Sequence, residues 1–170
     1  MKYTAIYPLL SALLMSASAM AHTFSTAYLE VFVYQQQPAM LWKVALHDLA
    51  RAGVLPGQND EQISWQHVLD SEQILQRYLT QHLVFSSEQQ SCHIKTLASS
   101  EWQLQQLQRD LYLLLPLQVY CPTQDKWQLH YQALFNVESS HKLLLSWQVP
   151  GQDANAVLSA ASPYYPAVSQ

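Results

Sequence analysis

His22 is the residue of this 170-residue chain that is best placed for metal chemistry. It directly follows Ala19-Met20-Ala21, a small-x-small pattern that is typical of signal-peptide cleavage sites. Cleavage after Ala21 makes His22 the first residue, with a free α-amine whose pKa of about 7.7 to 8.0 lies far below that of lysine. The amine and the imidazole form a nitrogen pair, which copper and nickel prefer to oxygen ligands. We therefore predict His22 as a metal ligand.

A second imidazole would complete a three-nitrogen site, and His141 is the best candidate in the sequence. It has the same parity as the large apolar residues of the alternating segment "HKLLLSWQV", so it faces the core at the start of a strand. No two histidines form an HxxxH or HxH pair. His47, which borders Asp48, is expected only to help a turn. The alternative for His22 itself is a frayed terminus without a function.

Residues 1–21 have the three parts of a secretory signal. Lys2 gives the positive start, Ile6 to Leu14 form a short apolar core, and the cleavage pattern follows. The apolar core is shorter than the roughly 18 to 20 residues that span a bilayer, which favours cleavage over a retained anchor. We expect a soluble, exported, periplasmic protein.

The composition excludes several classes of function. Without Lys2, seven Lys and Arg residues face twelve Asp and Glu residues, and no basic cluster is present, which argues against nucleic-acid binding. Only three glycines occur, and there is no glycine-rich phosphate loop. The motifs G-x-S-x-G and H-E-x-x-H are also missing, so we expect no enzymatic activity.

The two cysteines, Cys92 and Cys121, each lie at the edge of a strand-like run. An even cysteine count in an exported protein predicts one disulfide. The alternative is a metal thiolate pair with His93, which lacks the usual CxxC spacing.

Alternating segments predict a mainly β protein, an immunoglobulin-like β-sandwich with a helical insertion. The domain is expected over residues 22–161, with the insertion at about 48–83 and a loose tail over 162–170. Asp48 is placed to cap the first short helix and Gly53 to end it. Apolar residues at helical spacing after position 65 predict one helix or two with a break near Asp70. Pro116, within the long segment "RDLYLLLPLQVYC", predicts an edge strand or a bulge.

Several motifs together resemble one branch of the HupE/UreJ proteins. The segments "AHTFSTAYLEV", "LWKVALHDLARAGVL" and "LHYQALFNVESSHKLLL" occur in the order found in the extracytoplasmic domain of that branch. The family is regarded as nickel or cobalt permease-like and is associated with hydrogenase or urease. The resemblance implies a permease-like membrane partner, and His141 matches the family's "H-[KR]" position. This chain stops at Gln170, where the family continues into membrane helices, so transport is not implied. A stand-alone relative or half of a split pair is expected.

The same resemblance covers an EF-hand-like stretch, here "PGQNDEQISWQH" over residues 56–67. Calcium needs carboxylates at positions one, three and twelve and a glycine at six, but this chain has Pro56, Gln58, His67 and Glu61 there. Only Asp60 and Ser64 fit, at positions five and nine. We expect a degenerate, purely structural loop that does not bind calcium.

These observations predict a non-catalytic periplasmic domain that binds copper or nickel through His22 and His141, or docks on a permease-like membrane protein. The alternative is a pure protein–protein interaction module of the cell envelope with no metal.

Overall fold

The computed structural model describes residues 25–57, 60–124 and 126–166. Two β-sheets share one hydrophobic core, as predicted for a β-sandwich. The strands are β1 Thr26–Tyr34, β2 Gln37–Ala45, β3 Leu83–Ser87, β4 Gln90–Ser91, β5 His93–Thr96, β6 Gln103–Leu107, β7 Asp110–Tyr120, β8 Trp127–Tyr131, β9 Lys142–Gln148, β10 Ala154–Leu158 and β11 Tyr164–Tyr165. The helices are α1 Leu46–Arg51, α2 Trp65–Asp70 and α3 Glu72–His82. None of the described helices is long and apolar enough to cross a membrane.

The larger sheet has seven strands in the order β10-β9-β1-β2-β7-β5, with β6 also paired to β7. β1 runs parallel to β9, and the other pairs are antiparallel. Alternate residues of β1, β2 and β9 are buried, because successive side chains of a strand point to opposite faces. The predicted inward set of β9 is confirmed, since Leu143, Leu145 and Trp147 are all buried.

Pro116 lies in an inner strand, so the predicted edge strand was wrong. The alternative, a bulge, is not seen in the pairing with β2, whose register runs without interruption through Leu41 and Pro116. β7 pairs with β2 on one side and with both β5 and β6 on the other. Pro116 falls between the β6 and β5 ladders, and its carbonyl accepts from Leu97 N on that same side. The missing N–H of proline therefore faces a gap between two strands, where no ladder bond is lost.

The smaller sheet has the order β11-β8-β3-β4 and closes the core from the other side. Phe85 of β3 stacks on Trp147 of β9, with ring centroids 5.8 Å apart. The expected loose tail is not observed in its described part. Tyr164 and Tyr165 form β11 opposite His130 and Leu129, and the Tyr165 ring lies 5.0 Å from that of Trp147. Apolar packing thus holds this segment against the core.

The predicted helical insertion between the second and third strands is present. The break near Asp70 is confirmed, because α2 and α3 are separated at Ser71. Ser64 caps α2, and His67 completes the capping box. Gly53 has φ +70° just after α1, as expected of a residue that ends a helix.

Asp48 does not cap α1, contrary to the prediction. The helix begins at Leu46, its N-cap Ala45 offers no side-chain hydrogen bond, and Asp48 lies within the first turn. Its side chain is buried instead of reaching back to the helix N-terminus.

The predicted disulfide between Cys92 and Cys121 is formed. His93 of β5 pairs with Tyr120 of β7, so the next position in the antiparallel register brings the two cysteines opposite each other. The bond therefore joins the ends of two neighbouring strands and closes a loop with a sequence separation of 29.

We expect the double substitution of Cys92 and Cys121 by alanine to lower the free energy of unfolding by about 3 to 4 kcal/mol, the chain-entropy value for a loop of this length. Urea denaturation of the oxidised protein and the variant measures the difference. Reduction of the wild-type protein should reproduce the loss and should leave the variant unchanged. Equal midpoints for the oxidised and reduced wild-type protein would contradict this prediction.

Candidate metal centre

Three side chains from separate parts of the chain meet beside the start of α1: His47, Asp60 and Asp110. The β2–β7 register explains why His47 and Asp110 are close. Ala45, the last residue of β2, lies opposite Tyr112. Because the strands are antiparallel, two residues after Ala45 and two residues before Tyr112 the chain brings His47, in the first turn of α1, beside Asp110. Asp60 is fixed separately, because its Oδ2 accepts a hydrogen bond of 2.8 Å from Leu111 N.

The free ends of these side chains converge on one point. His47 Nδ1 lies 3.6 Å from Asp60 Oδ1 and 3.9 Å from Asp110 Oδ1, and one ligand atom of each residue lies within 4.8 Å of the others. Asp60 Oδ1 is buried and has no hydrogen-bond partner among the described residues. The three side chains remain 19 to 32 % exposed, so an ion could enter from solvent.

Asp48 lies on the opposite side of the His47 ring. Its Oδ1 is 3.4 Å from His47 Nε2 and 3.7 Å from Arg51 Nη1, while its side chain is only 3 % exposed. Burial raises the pKa of Asp48, and the hydrogen bond from Ser25 and the charges of His47 and Arg51 oppose that rise. The carboxylate thus depends on its polar neighbours to stay charged within the fold.

A chain of buried polar groups continues from Asp48 into the core. Ser25 Oγ donates to Asp48 Oδ2 over 2.7 Å and lies 2.6 Å from His141 Nδ1. His141 Nε2 in turn lies 3.2 Å from the hydroxyl of Tyr131. All four residues are buried, and His141 and Tyr131 are fully so.

This chain of buried polar groups contains a serine, a histidine and an aspartate, which are the residue types of a hydrolase triad, but their arrangement is different. In a triad the histidine lies between the nucleophile and the carboxylate. Here Ser25 lies between Asp48 and His141, and its proton is directed to the carboxylate. The imidazole is therefore not placed to take a proton from Ser25 Oγ.

The His47 group combines one imidazole nitrogen with two carboxylate oxygens. Imidazole suits zinc, copper, iron and nickel, whereas carboxylates also suit manganese and magnesium. A mixed set of this kind fits a borderline divalent ion, and three protein ligands leave positions for water or a further ligand. Asp48 Oδ1, 3.4 Å from His47 Nε2, occupies the position of the outer carboxylate that commonly orients metal-bound histidines.

The two histidines predicted as ligands have different outcomes. His22 lies outside the described residues, so its role stays a prediction. His141 faces the core, as its parity indicated, and both of its ring nitrogens contact other side chains. Binding an ion would require His141 to give up Ser25 or Tyr131. The structure does not bring it into the group formed by His47.

The sequence interpretation did not single out His47 and Asp110 as candidate ligands. Asp60 was noted as a residue of the EF-hand-like stretch, but its carboxylate faces His47 and Asp110, and Ser64 caps α2. The sequence does make strands β2 and β7 recognisable, and His47 and Asp110 lie next to an end of each strand. Only their mutual register, which no local pattern gives, places Asp110 beside His47.

No protein-family model matches this chain, and no curated protein matches it.

The buried imidazole of His141 makes stability depend on pH. Burial lowers the pKa of His141 to about 4, with a smaller contribution from Lys142, against an opposing contribution from Glu138. In the unfolded chain the value is about 6.5, so between pH 6.5 and 4 the unfolded state binds more protons. Acidification therefore removes stability in that window, up to about 3 kcal/mol.

We expect His141→Gln to reduce the loss of unfolding free energy between pH 7 and pH 4.5 by about 2 kcal/mol, because the titrating group is gone. Urea denaturation at the two pH values measures this. The raised pKa of Asp48 acts in the opposite direction, so the difference between wild type and variant is the relevant quantity. His93→Gln, which changes an exposed histidine, is the matched control. The same pH dependence in wild type and His141→Gln would refute the assignment.

Proposed function

We propose that this chain is an exported envelope domain that binds one divalent transition-metal ion through His47, Asp60 and Asp110. The observation that carries the proposal is the convergence of one imidazole nitrogen and two carboxylate oxygens within 4.8 Å. When the proton of His47 is on Nε2, the Nδ1 lone pair faces the two carboxylate oxygens. A cation between them relieves this repulsion and supplies the missing partner of Asp60 Oδ1.

The mixture of ligands favours nickel, cobalt or zinc over calcium. Calcium takes six to eight oxygen ligands, and here one of the three ligand atoms is an imidazole nitrogen. Copper remains a competitor because it forms the most stable complexes of its series with nitrogen ligands. His22 adds a further amine and imidazole to the same chain if export removes residues 1–21. Ser25, only three residues later, contacts Asp48 beside the centre.

Export to the periplasm and docking on a permease-like membrane protein complete the proposed function. The signal-like residues 1–21 and the disulfide support an oxidising compartment. The resemblance to HupE/UreJ proteins supports the kind of partner. In this role the domain holds a metal ion next to a protein that moves such ions.

A groove on the outer face of the seven-stranded sheet favours a second candidate, an interaction module without metal. The groove has a volume of about 760 Å³ and is lined by Tyr28, Glu30, Lys43, Leu144 and Val157, among others. Val157 is 58 % exposed and Leu144 38 % exposed. Failure of the isolated domain to bind any metal would favour this candidate.

Titration of the metal-free protein with Ni²⁺ and Zn²⁺ in competition with a coloured chelator should show one ion bound per chain. We expect His47→Ala and Asp110→Asn each to weaken binding by more than about 100-fold, since the loss of an outer partner alone costs about 10- to 100-fold. Calcium at the same concentrations should not compete.

His93→Ala and Asp70→Asn are the matched controls, because they change the same residue types outside the group. They should bind as the wild type does. A version with one extra residue before His22 tests the terminal amine separately. Unchanged affinity in His47→Ala and Asp110→Asn would exclude the proposed centre, and binding lost only in the extended version would assign the metal to His22.

A further inference from the structure

The buried chain from Tyr131 to Asp48 has only one direction of hydrogen bonding that satisfies every group. An ionised carboxylate only accepts, so the single proton of Ser25 is directed to Asp48 Oδ2. Ser25 Oγ must then accept from His141, which places the proton of that imidazole on Nδ1. The remaining nitrogen, Nε2, accepts from the hydroxyl of Tyr131. Every donor in the chain thus points towards Asp48.

The Asp48 end of this chain of buried polar groups lies beside His47 of the proposed metal centre. Asp48 uses Oδ2 for Ser25 and leaves Oδ1 towards His47 Nε2. Because one oxygen is held by a buried hydrogen bond, the carboxylate cannot turn without breaking that bond. The other oxygen is therefore held near Nε2, the ring nitrogen of His47 that is not directed at Asp60 and Asp110.

We propose that Asp48 is the positioning residue of the metal centre, whose carboxylate keeps the proton of His47 on Nε2 and so leaves Nδ1 free to bind the ion. The inference rests on the metal-binding function proposed above. Metal-bound histidines commonly donate their other N–H to a carboxylate, which fixes the ring and raises its basicity as a ligand. The residues that hold Asp48 extend this support into the core, because Ser25 precedes β1, His141 precedes β9 and Tyr131 ends β8.

Two measurements on the same full-length processed protein test the role of Asp48. The affinity for Zn²⁺ is measured by chelator competition, and the imidazole ¹⁵N shifts report which ring nitrogen carries each proton. Asp48→Asn should weaken Zn²⁺ binding by about 10- to 100-fold. It should also move the proton of His47 from Nε2 to Nδ1, because the new amide keeps its oxygen on Ser25 and turns its N–H donor towards His47 Nε2.

Asp70→Asn is the control, since it makes the same change on α2 at a residue whose carboxylate accepts only from Gln66 among the described hydrogen bonds. It should change neither the affinity nor the proton positions. Ser25→Ala is the second variant if Asp48→Asn does not fold. It keeps the charge of Asp48 but removes the bond that holds it, so it should also weaken Zn²⁺ binding.

The possible failures are distinguishable. Wild-type affinity in Asp48→Asn or in Ser25→Ala overturns the inference and leaves the metal-binding function in place. A His141 proton found on Nε2 in the wild type would contradict the proposed direction of hydrogen bonding from Tyr131 to Asp48. The argument for Asp48 would then fail as well. If the wild type binds none of the ions, the proposed function and this inference both fail.

Discussion

The buried carboxylate of Asp48 is the constraint on which the arrangement of this end of the sandwich depends. An ionised group so far from solvent is costly unless its oxygens are paired. The fold meets this cost with a serine hydroxyl at one oxygen and with His47 and Arg51 near the other. Because Ser25 directly precedes β1, the carboxylate links the start of that strand to α1. His141 and Tyr131 extend the link to β9 and β8.

The larger sheet and the helical insertion contribute to the site in different ways. The β2–β7 register brings Asp110 to His47, and the loop between α1 and α2 delivers Asp60, which is held by the backbone of Leu111. The site therefore lies where rigid strands meet a loop that is fixed by a hydrogen bond. Its inner side is closed by Asp48 and the core, and its outer side is partly open to solvent. This geometry suits reversible binding of an ion better than a fully enclosed structural site.

Local patterns predicted the strands and helices well, because the spacing of apolar residues depends on the type of element that they form. The strict alternation around β1, β2 and β9 and the helical spacing after Trp65 each follow from the period of one element. A count of two cysteines was enough for the disulfide. The errors concern contacts between residues far apart in the sequence. Pro116 lies between the β5 and β6 ladders of an inner strand, and Tyr164 and Tyr165 pair with β8. Asp48 bonds to Ser25 and does not cap the N-terminus of α1. The group formed by His47, Asp60 and Asp110 was missed for the same reason. The β2–β7 register brings His47 near Asp110, and the hydrogen bond from Leu111 N holds Asp60 beside them.

X-ray diffraction at the zinc absorption edge, from crystals of the processed protein grown with Zn²⁺, tests the central claim most directly. The account predicts one anomalous peak at about 2.0 to 2.2 Å from His47 Nδ1 and from a carboxylate oxygen of both Asp60 and Asp110, with Asp48 in contact with His47 Nε2. A peak bound to His141, or strong peaks at other histidines with none between His47, Asp60 and Asp110, would contradict it.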